Sequence, residues 1–316
     1  MSTRRSLTLA LALIAMPVLV IPIQAARYYV ANADTGSIIS SGLKREYLLY
    51  VPKSVDPAKP APLVISLHGG ALWAATQRDF SQFNRVADRE GFIVVYPNAR
   101  GPRGARAWHE GDGTARSTDV RFISELIDTI AAHHRVDPLR IYANGLSNGG
   151  GMTFALSCTL SDRIAAVGLV GAALFEPWSW CRDRRPVPMI DFHGTNDPEA
   201  PYNGGKSWVA PNFKGFPPQK VWVKNWARRN GCALTPVDTR VAVDAVKRAY
   251  SGCANDADVE LYTIEGGGHT WPGGGHHPEF FVGRTTHSID GSQIMWDFFK
   301  RHPLVTTSGP NSTASH

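Results

Sequence analysis

Apolar positions along this chain follow two periods in turn, and their alternation predicts a repeating strand–helix architecture. Leu63-Val64-Ile65-Ser66-Leu67 and Phe92-Ile93-Val94-Val95-Tyr96 are short apolar runs, as a strand buried on both faces requires. Between them Phe80, Phe83, Val86 and Ala87 recur at helical spacing. A helix is predicted over about residues 79–90, opened by an Asp79-x-x-Gln82 capping box and closed by Gly91. Strands are predicted at Ile38 to Ser40, Arg45 to Val51, the run beginning at Ile141, Ala165 to Val170, Val187 to Phe192 and Val259 to Ile264. Further helices are predicted over about residues 119–133, 149–160, 218–230 and 291–302, the last with Ile294, Met295, Phe298 and Phe299 on one face. Apolar strands alternating with amphipathic helices imply an α/β chain with a mainly parallel, doubly wound sheet and helices on both faces.

The first residues stand apart from this pattern. Two arginines precede an almost continuous apolar run from Leu7 to Val20, and Ile23-Gln24-Ala25 ends in a small residue suited to cleavage. A secretory signal peptide is predicted over residues 1–25, one α/β domain over 26–303 and a short polar tail over 304–316. Pro17 and Pro22 interrupt the apolar run and argue against an uncleaved membrane anchor; no later stretch is long enough to span a bilayer. The chain carries 33 Lys+Arg against 27 Asp+Glu, a net charge of +6. Its basic residues are scattered, or broken by acids as in Arg182-Asp183-Arg184-Arg185, so nucleic acid is not an expected partner. Four cysteines in an exported chain predict disulfides. Of the three possible pairings the sequence-local one is expected, Cys158–Cys181 with Cys232–Cys253. No Cys-x-x-Cys spacing favours zinc, and no metal or cofactor is expected.

Chemistry enters at the strand exits. The Ile141 strand runs into Gly145-Leu146-Ser147-Asn148-Gly149, the strand–turn–helix context that exposes a nucleophilic serine. The Gly-x-Ser-x-Gly pattern alone arises in about one chain of this length in ten, so the other exits decide. The Val187 strand ends in His193-Gly194-Thr195-Asn196-Asp197, which offers Asp197, and the Val259 strand enters Gly266-Gly267-Gly268-His269. A serine needs a base, and the base needs an acid to hold its tautomer. Ser147, Asp197 and His269 stand in the chain order of the α/β-hydrolase fold. A fourth exit, His68-Gly69-Gly70, is placed to pair a backbone amide with that of Asn148 around an oxyanion. Asp191 lies inside its strand and is the weaker acid. His68 reads as a buried support and Asp119 as a helix cap, while His276 and His277 read as solvent-facing; His193 is a rival base. Trp73, Trp108, Tyr202 and Trp271 sit in loops at these exits and are expected to wall a substrate pocket.

These motifs also carry a family resemblance. Leu67-His68-Gly69-Gly70, Asp119-Val120-x-Phe122-Ile123, Gly145-Leu146-Ser147-Asn148-Gly149-Gly150, His193-Gly194-Thr195-x-Asp197-x-x-x-Pro201-Tyr202-x-Gly204-Gly205 and Gly266-Gly267-Gly268-His269-Thr270-Trp271-Pro272-Gly273 occur in that order. Together they resemble the polyhydroxybutyrate depolymerase/feruloyl esterase group of secreted α/β-hydrolases. The resemblance implies metal-free ester hydrolysis, with the triad on Ser147, Asp197 and His269. Ala71-Leu72-Trp73 departs from the glycine or small polar residues that relatives often have there, which leaves the second oxyanion donor open between Gly70 and Ala71. The expected substrates are polymer-linked or oligomeric esters: feruloyl or acetyl groups on polysaccharide, or short-chain polyhydroxyalkanoate. No further domain is expected after the last helix, which favours oligomers over a crystalline solid. Acyl transfer by the same triad, and a non-catalytic polysaccharide-binding surface protein, are the alternatives.

Overall fold

The fully apolar runs become the middle of one sheet. A computed structural model describes residues 35–102, 105–109, 117–172, 181, 183–207, 215–275 and 279–305. The expected signal peptide, His276, His277 and residues 306–316 of the expected tail lie outside them. A hairpin of β1 (Gly36–Ser40) and β2 (Leu43–Tyr50) precedes β3 (Ala61–Leu67), whose residues are all buried. Then come α1 (Ala74–Ser81), α2 (Phe83–Glu90), β4 (Ile93–Pro97), α3 (Thr118–His133), β5 (Val136–Leu146), α4 (Asn148–Thr159), β6 (Ala166–Val170) and β7 (Met189–Gly194). The chain continues through α5 (Gln219–Arg229), β8 (Val237–Ala242), β9 (Ala245–Tyr250), β10 (Val259–Ile264), the one-turn α6 (Glu279–Val282) and α7 (Gly291–Arg301).

The sheet runs β1-β2-β4-β3-β5-β6-β7-β10-β9-β8. From β4 to β10 the neighbours are parallel, and antiparallel strands finish both edges. This is the α/β-hydrolase arrangement. Successive residues of the central strands feed opposite layers: Leu63, Ile65 and Leu67 pack with α3, α4 and α5, whereas Val64 packs with α1, α2 and α7. The second layer is rich in rings, with Tyr142 stacked on Phe299 at 4.8 Å and Phe92 on Trp296 at 4.0 Å. The parallel order brings the exits of β3, β5, β7 and β10 to one edge, where the candidate chemistry gathers.

Four details differ from the sequence reading. The helix predicted over residues 79–90 is two helices, α1 and α2, broken where Gln82 turns left-handed (φ 56°, ψ 23°). Asp79 therefore lies inside α1, and Gln82 donates its side-chain amide to the Asp79 carbonyl instead of closing a capping box. The β8–β9 hairpin was invisible to periodicity because β8 is exposed along nearly its whole length and leaves no apolar register. Strand β5 begins at Val136, before Asp137-Pro138, and an irregularity between Ala61 and Leu63 absorbs the extra residues. Asp119 is no helix cap: Ser117 holds that place, and Asp119 pairs with Arg45 at 2.7 Å, both groups buried.

Both sequence-local disulfides are present. Cys158–Cys181 ties the end of α4 to the segment ahead of β7, and Cys232–Cys253 ties the segment after α5 to that after β9. Among the described residues no helix is long and apolar enough to cross a membrane. The second bridge closes a sequence separation of 21 residues, which is worth about 3 kcal/mol in the chain-entropy account. The double variant Cys232→Ser/Cys253→Ser is therefore expected to lose about 3 kcal/mol of unfolding free energy, seen as a lower guanidinium midpoint. An unchanged midpoint would contradict it.

Candidate active site

Ser147 sits at the turn between β5 and α4 with φ 55° and ψ −122°, a conformation a serine adopts only when its surroundings force it. The forcing is backbone crowding. A Cβ on Gly145 would lie 2.2 Å from the Gly149 carbonyl oxygen, and one on Gly149 would lie 2.4 Å from that of Leu67. Only glycines allow β5, the start of α4 and the exit of β3 to meet this closely. The Ser147 amide donates to Val170 at 2.9 Å, so β6 holds the turn from its other side. The serine side chain is half-buried at the N-terminus of α4, where negative charge is favoured.

The loop after β10 brings His269 beside Asp197 from the loop after β7. His269 Nδ1 donates to Asp197 Oδ2 at 2.7 Å. The other Asp197 oxygen accepts the amides of Glu199 and Ala200, each at 2.8 Å. Burial works to raise the Asp197 pKa, but the His269 ring, the nearby His193 and the Ala200 amide hold it below the usual carboxylate value. For His269 burial works downward, yet Asp197, with a smaller contribution from Glu199, raises the pKa above the ordinary histidine value. With Nδ1 committed to Asp197, Nε2 is left as the basic nitrogen, and it has no hydrogen-bond partner among the described residues. Gly171 completes the floor: at φ 49°, a Cβ there would stand 2.9 Å from His269 Nδ1 and 3.3 Å from Asp197 Oδ2.

The segment after β3 forms the facing wall. The His68 ring is buried, its Nδ1 donating to the Gly69 carbonyl at 2.7 Å and its Nε2 accepting the Ala99 amide at 3.0 Å. Burial pushes its pKa down to about 4, so it is a neutral strut. The Ala71 amide donates to the Arg106 carbonyl at 2.7 Å and is spoken for. Among the described residues the Gly70 amide makes no hydrogen bond, and a Cβ on Gly70 would come no nearer than 3.8 Å, to Asn148 Cβ.

Ser147 and His269 line one cavity of about 140 Å³, together with Gly69, Gly70, Leu72, Phe80, Leu146, Glu199 and Val282. None of the four aromatic residues expected to wall it does so. Trp108 is buried with its indole N–H donating to the His68 carbonyl at 2.9 Å, and the Asn148 side chain grips its backbone at 2.7 and 3.2 Å. Trp271 is fully buried, its N–H donating to Ser292 Oγ at 2.8 Å and its ring edge-on to Phe83. Tyr202 is buried with its hydroxyl 2.7 Å from Thr263 Oγ1. Trp73, half-buried, starts α1 and packs on the layer beside it. An indole N–H or phenol seeks a partner when buried, and Trp108, Trp271 and Tyr202 find theirs in the scaffold. The apolar walls are instead Leu72, Phe80 and Val282, with Leu146 beside the serine.

The rival residues fall outside the pair. Asp191 is buried within β7, where burial raises its pKa to about 6, and it accepts from the Gln219 side chain. His193 Nε2 lies 2.7 Å from the Ala200 carbonyl and 3.4 Å from Asp197 Oδ2, behind the acid. Among the described residues no group of three or more His, Cys, Asp or Glu is arranged to hold a metal. Glu199, in the cavity, was not singled out from the sequence, and neither was Gly171. The signal for Glu199 was its place two residues beyond Asp197, inside the turn that the Asp197 side chain caps.

Residues 45–180 match the family model described as esterase PHB depolymerase. The chain is similar to feruloyl esterase B of Piromyces equi, 35% identical over 268 residues, or 82% of this chain and 46% of that protein. It is similar to the bifunctional acetylxylan esterase/xylanase XynS20E of Neocallimastix patriciarum, 33% identical over 281 residues, or 87% of this chain and 35% of that one. It thus spans less than half the length of both relatives. Among solved structures, an acetyl xylan esterase from Aspergillus awamori matches with a TM-score of 0.60 at 16% identity, over 84% of this chain and 98% of the other, a likeness of fold. By fold, matched segment and relatives, the chain is an α/β-hydrolase that resembles the polyhydroxybutyrate depolymerase/feruloyl esterase family.

Proposed function

We propose that this chain is a secreted serine carboxylic-ester hydrolase acting on polymer-linked or oligomeric esters. The observation that carries the reading is the 2.7 Å bond from His269 to Asp197, with the strained Ser147 lining the same cavity as the ring. In the proposed cycle Nε2 of His269 takes the Ser147 proton as Oγ attacks the ester carbonyl. The amides of Asn148 and Gly70 hold the oxyanion; that the Ala71 amide is occupied by Arg106 supports Gly70 as the second donor. The imidazolium, stabilised by Asp197, then protonates the leaving alcohol. Water, activated by the same ring, releases the acid and restores Ser147.

Two disulfides fit an oxidising compartment and support export. Apolar walls at Leu72, Phe80 and Val282 suit an uncharged acyl group. The names of the relatives favour feruloyl or acetyl esters of plant polysaccharide, and the family model adds short-chain polyhydroxyalkanoate.

The native protein is expected to hydrolyse methyl ferulate or hydroxybutyrate oligomers, and Ser147→Ala to lose that turnover by ~10⁴-fold or more. Retained turnover in the variant, or a native protein inert on both, would contradict the proposal. Since the base must be neutral and its pKa is raised, activity should fall as pH drops through a value above about 6.5, the ordinary histidine value. A half-maximum of kcat/KM below that value would count against His269. Gly171→Ala should fold but displace the His–Asp pair, lowering kcat on the order of 100-fold. Activity within twofold of native would show that the pair tolerates the methyl group.

A further inference from the structure

The cavity holds a carboxylate, Glu199, for which the proposed cycle has no use. Glu199 Oε2 lies 3.4 Å from His269 Nε2, on the side of the ring away from Asp197. Its backbone is fixed from both directions. Asp197 Oδ1 accepts the Glu199 and Ala200 amides, and His193 Nε2 bonds the Ala200 carbonyl at 2.7 Å. The Glu199 side chain is 21% exposed while His269 is 4% exposed, so the carboxylate stands at the rim with the ring beneath it. Apart from His269, it is the one ionisable side chain among the described lining residues. No cation in that lining offsets it.

Resting on the esterase reading, we propose that Glu199 is a specificity and positioning residue that restricts the enzyme to esters with uncharged leaving groups. Nε2 is the atom that hands its proton to the departing alcohol, so a carboxylate 3.4 Å from it borders the leaving-group subsite. A leaving group bearing its own carboxylate meets a fixed like charge in a partly desolvated cleft, where repulsion is weakly screened. The same charge favours the imidazolium and, with Asp197 on the opposite nitrogen, raises the pH at which the base loses its proton.

The other charged groups around the ring are already engaged. Asp197 is bonded to Nδ1, and His193 lies behind Asp197 at 3.4 Å. The α6 segment, whose Val282 carbonyl accepts the His269 amide, brings Arg284, paired with Asp244 at 2.8 Å. It also brings Glu279, which accepts the Thr285 amide. Removing the Glu199 charge therefore isolates its effect.

The test compares 4-acetoxybenzoate, anionic in its leaving group, with neutral 4-acetoxybenzamide. In Glu199→Gln the kcat/KM ratio of anionic to neutral ester is expected to rise on the order of 5- to 10-fold. The acidic limb of the pH profile on the neutral ester is expected to move to lower pH. Glu199→Asp keeps the charge and should hold both readouts near native values. A Glu199→Gln ratio and limb that both match the native protein would overturn the proposal. So would a Glu199→Asp enzyme that behaves like Glu199→Gln, because shape rather than charge would then be at work. Loss of neutral-ester turnover in Ser147→Ala checks the esterase reading separately, whatever Glu199 does.

Discussion

Three stretches of backbone meet at the turn after β5, and their crowding governs the rest of the site. With 2.2 Å between a notional Gly145 Cβ and the Gly149 carbonyl, and 2.4 Å between Gly149 and Leu67, the strand, the helix start and the β3 exit tolerate no side chain between them. Ser147 takes the strain that results, of order 1–3 kcal/mol, and is held there by the Val170 carbonyl behind it. The contact that strains the serine also fixes the Gly69–Gly70 segment against the start of α4. One steric constraint therefore sets both where a nucleophile would project and where its oxyanion donors would lie.

Around that turn, buried polar contacts do the positioning. His68 is kept neutral and bonded at both nitrogens, Trp108 props the His68 carbonyl, and Asn148 clips Trp108. On the far side Trp271 anchors the His269 loop to Ser292, and the Val282 carbonyl takes the His269 amide at 2.6 Å. The long-range pair of Arg45 and Asp119 joins in, since the second Asp119 oxygen accepts the His109 amide at 2.8 Å next to Trp108. The His68 and His269 loops are thus each held by a buried tryptophan, Trp108 and Trp271. The described lining of the cavity is mostly small or apolar, with Glu199 and His269 the ionisable residues in it.

That division explains what could be read in advance. The sheet and the Ser147, Asp197 and His269 positions were legible because each lies in a short local pattern, a buried strand running into a glycine-bearing loop. The tryptophans were legible as important and misread in role. Sequence shows an aromatic residue at a strand exit, but only the fold shows that the indole N–H of Trp108 turns inward to His68. Leu72 and Val282 left no signal, and Phe80 showed only the helical spacing of a core residue, so nothing in the sequence marked the three as walls of one cavity. Glu199 was hidden for a different reason. Its role depends on the turn that Asp197 caps, a contact between residues whose side chains sequence alone does not orient.

The central claim is that Ser147 is the group that attacks. A fluorophosphonate labels an activated serine far faster than an ordinary hydroxyl, so intact-mass and peptide mapping after labelling address the claim without a choice of substrate. The account predicts one adduct per chain, on the peptide bearing Ser147, formed by the native protein and absent from Ser147→Ala. A native protein that takes no label under these conditions, or one labelled equally after Ser147 is replaced, would contradict it.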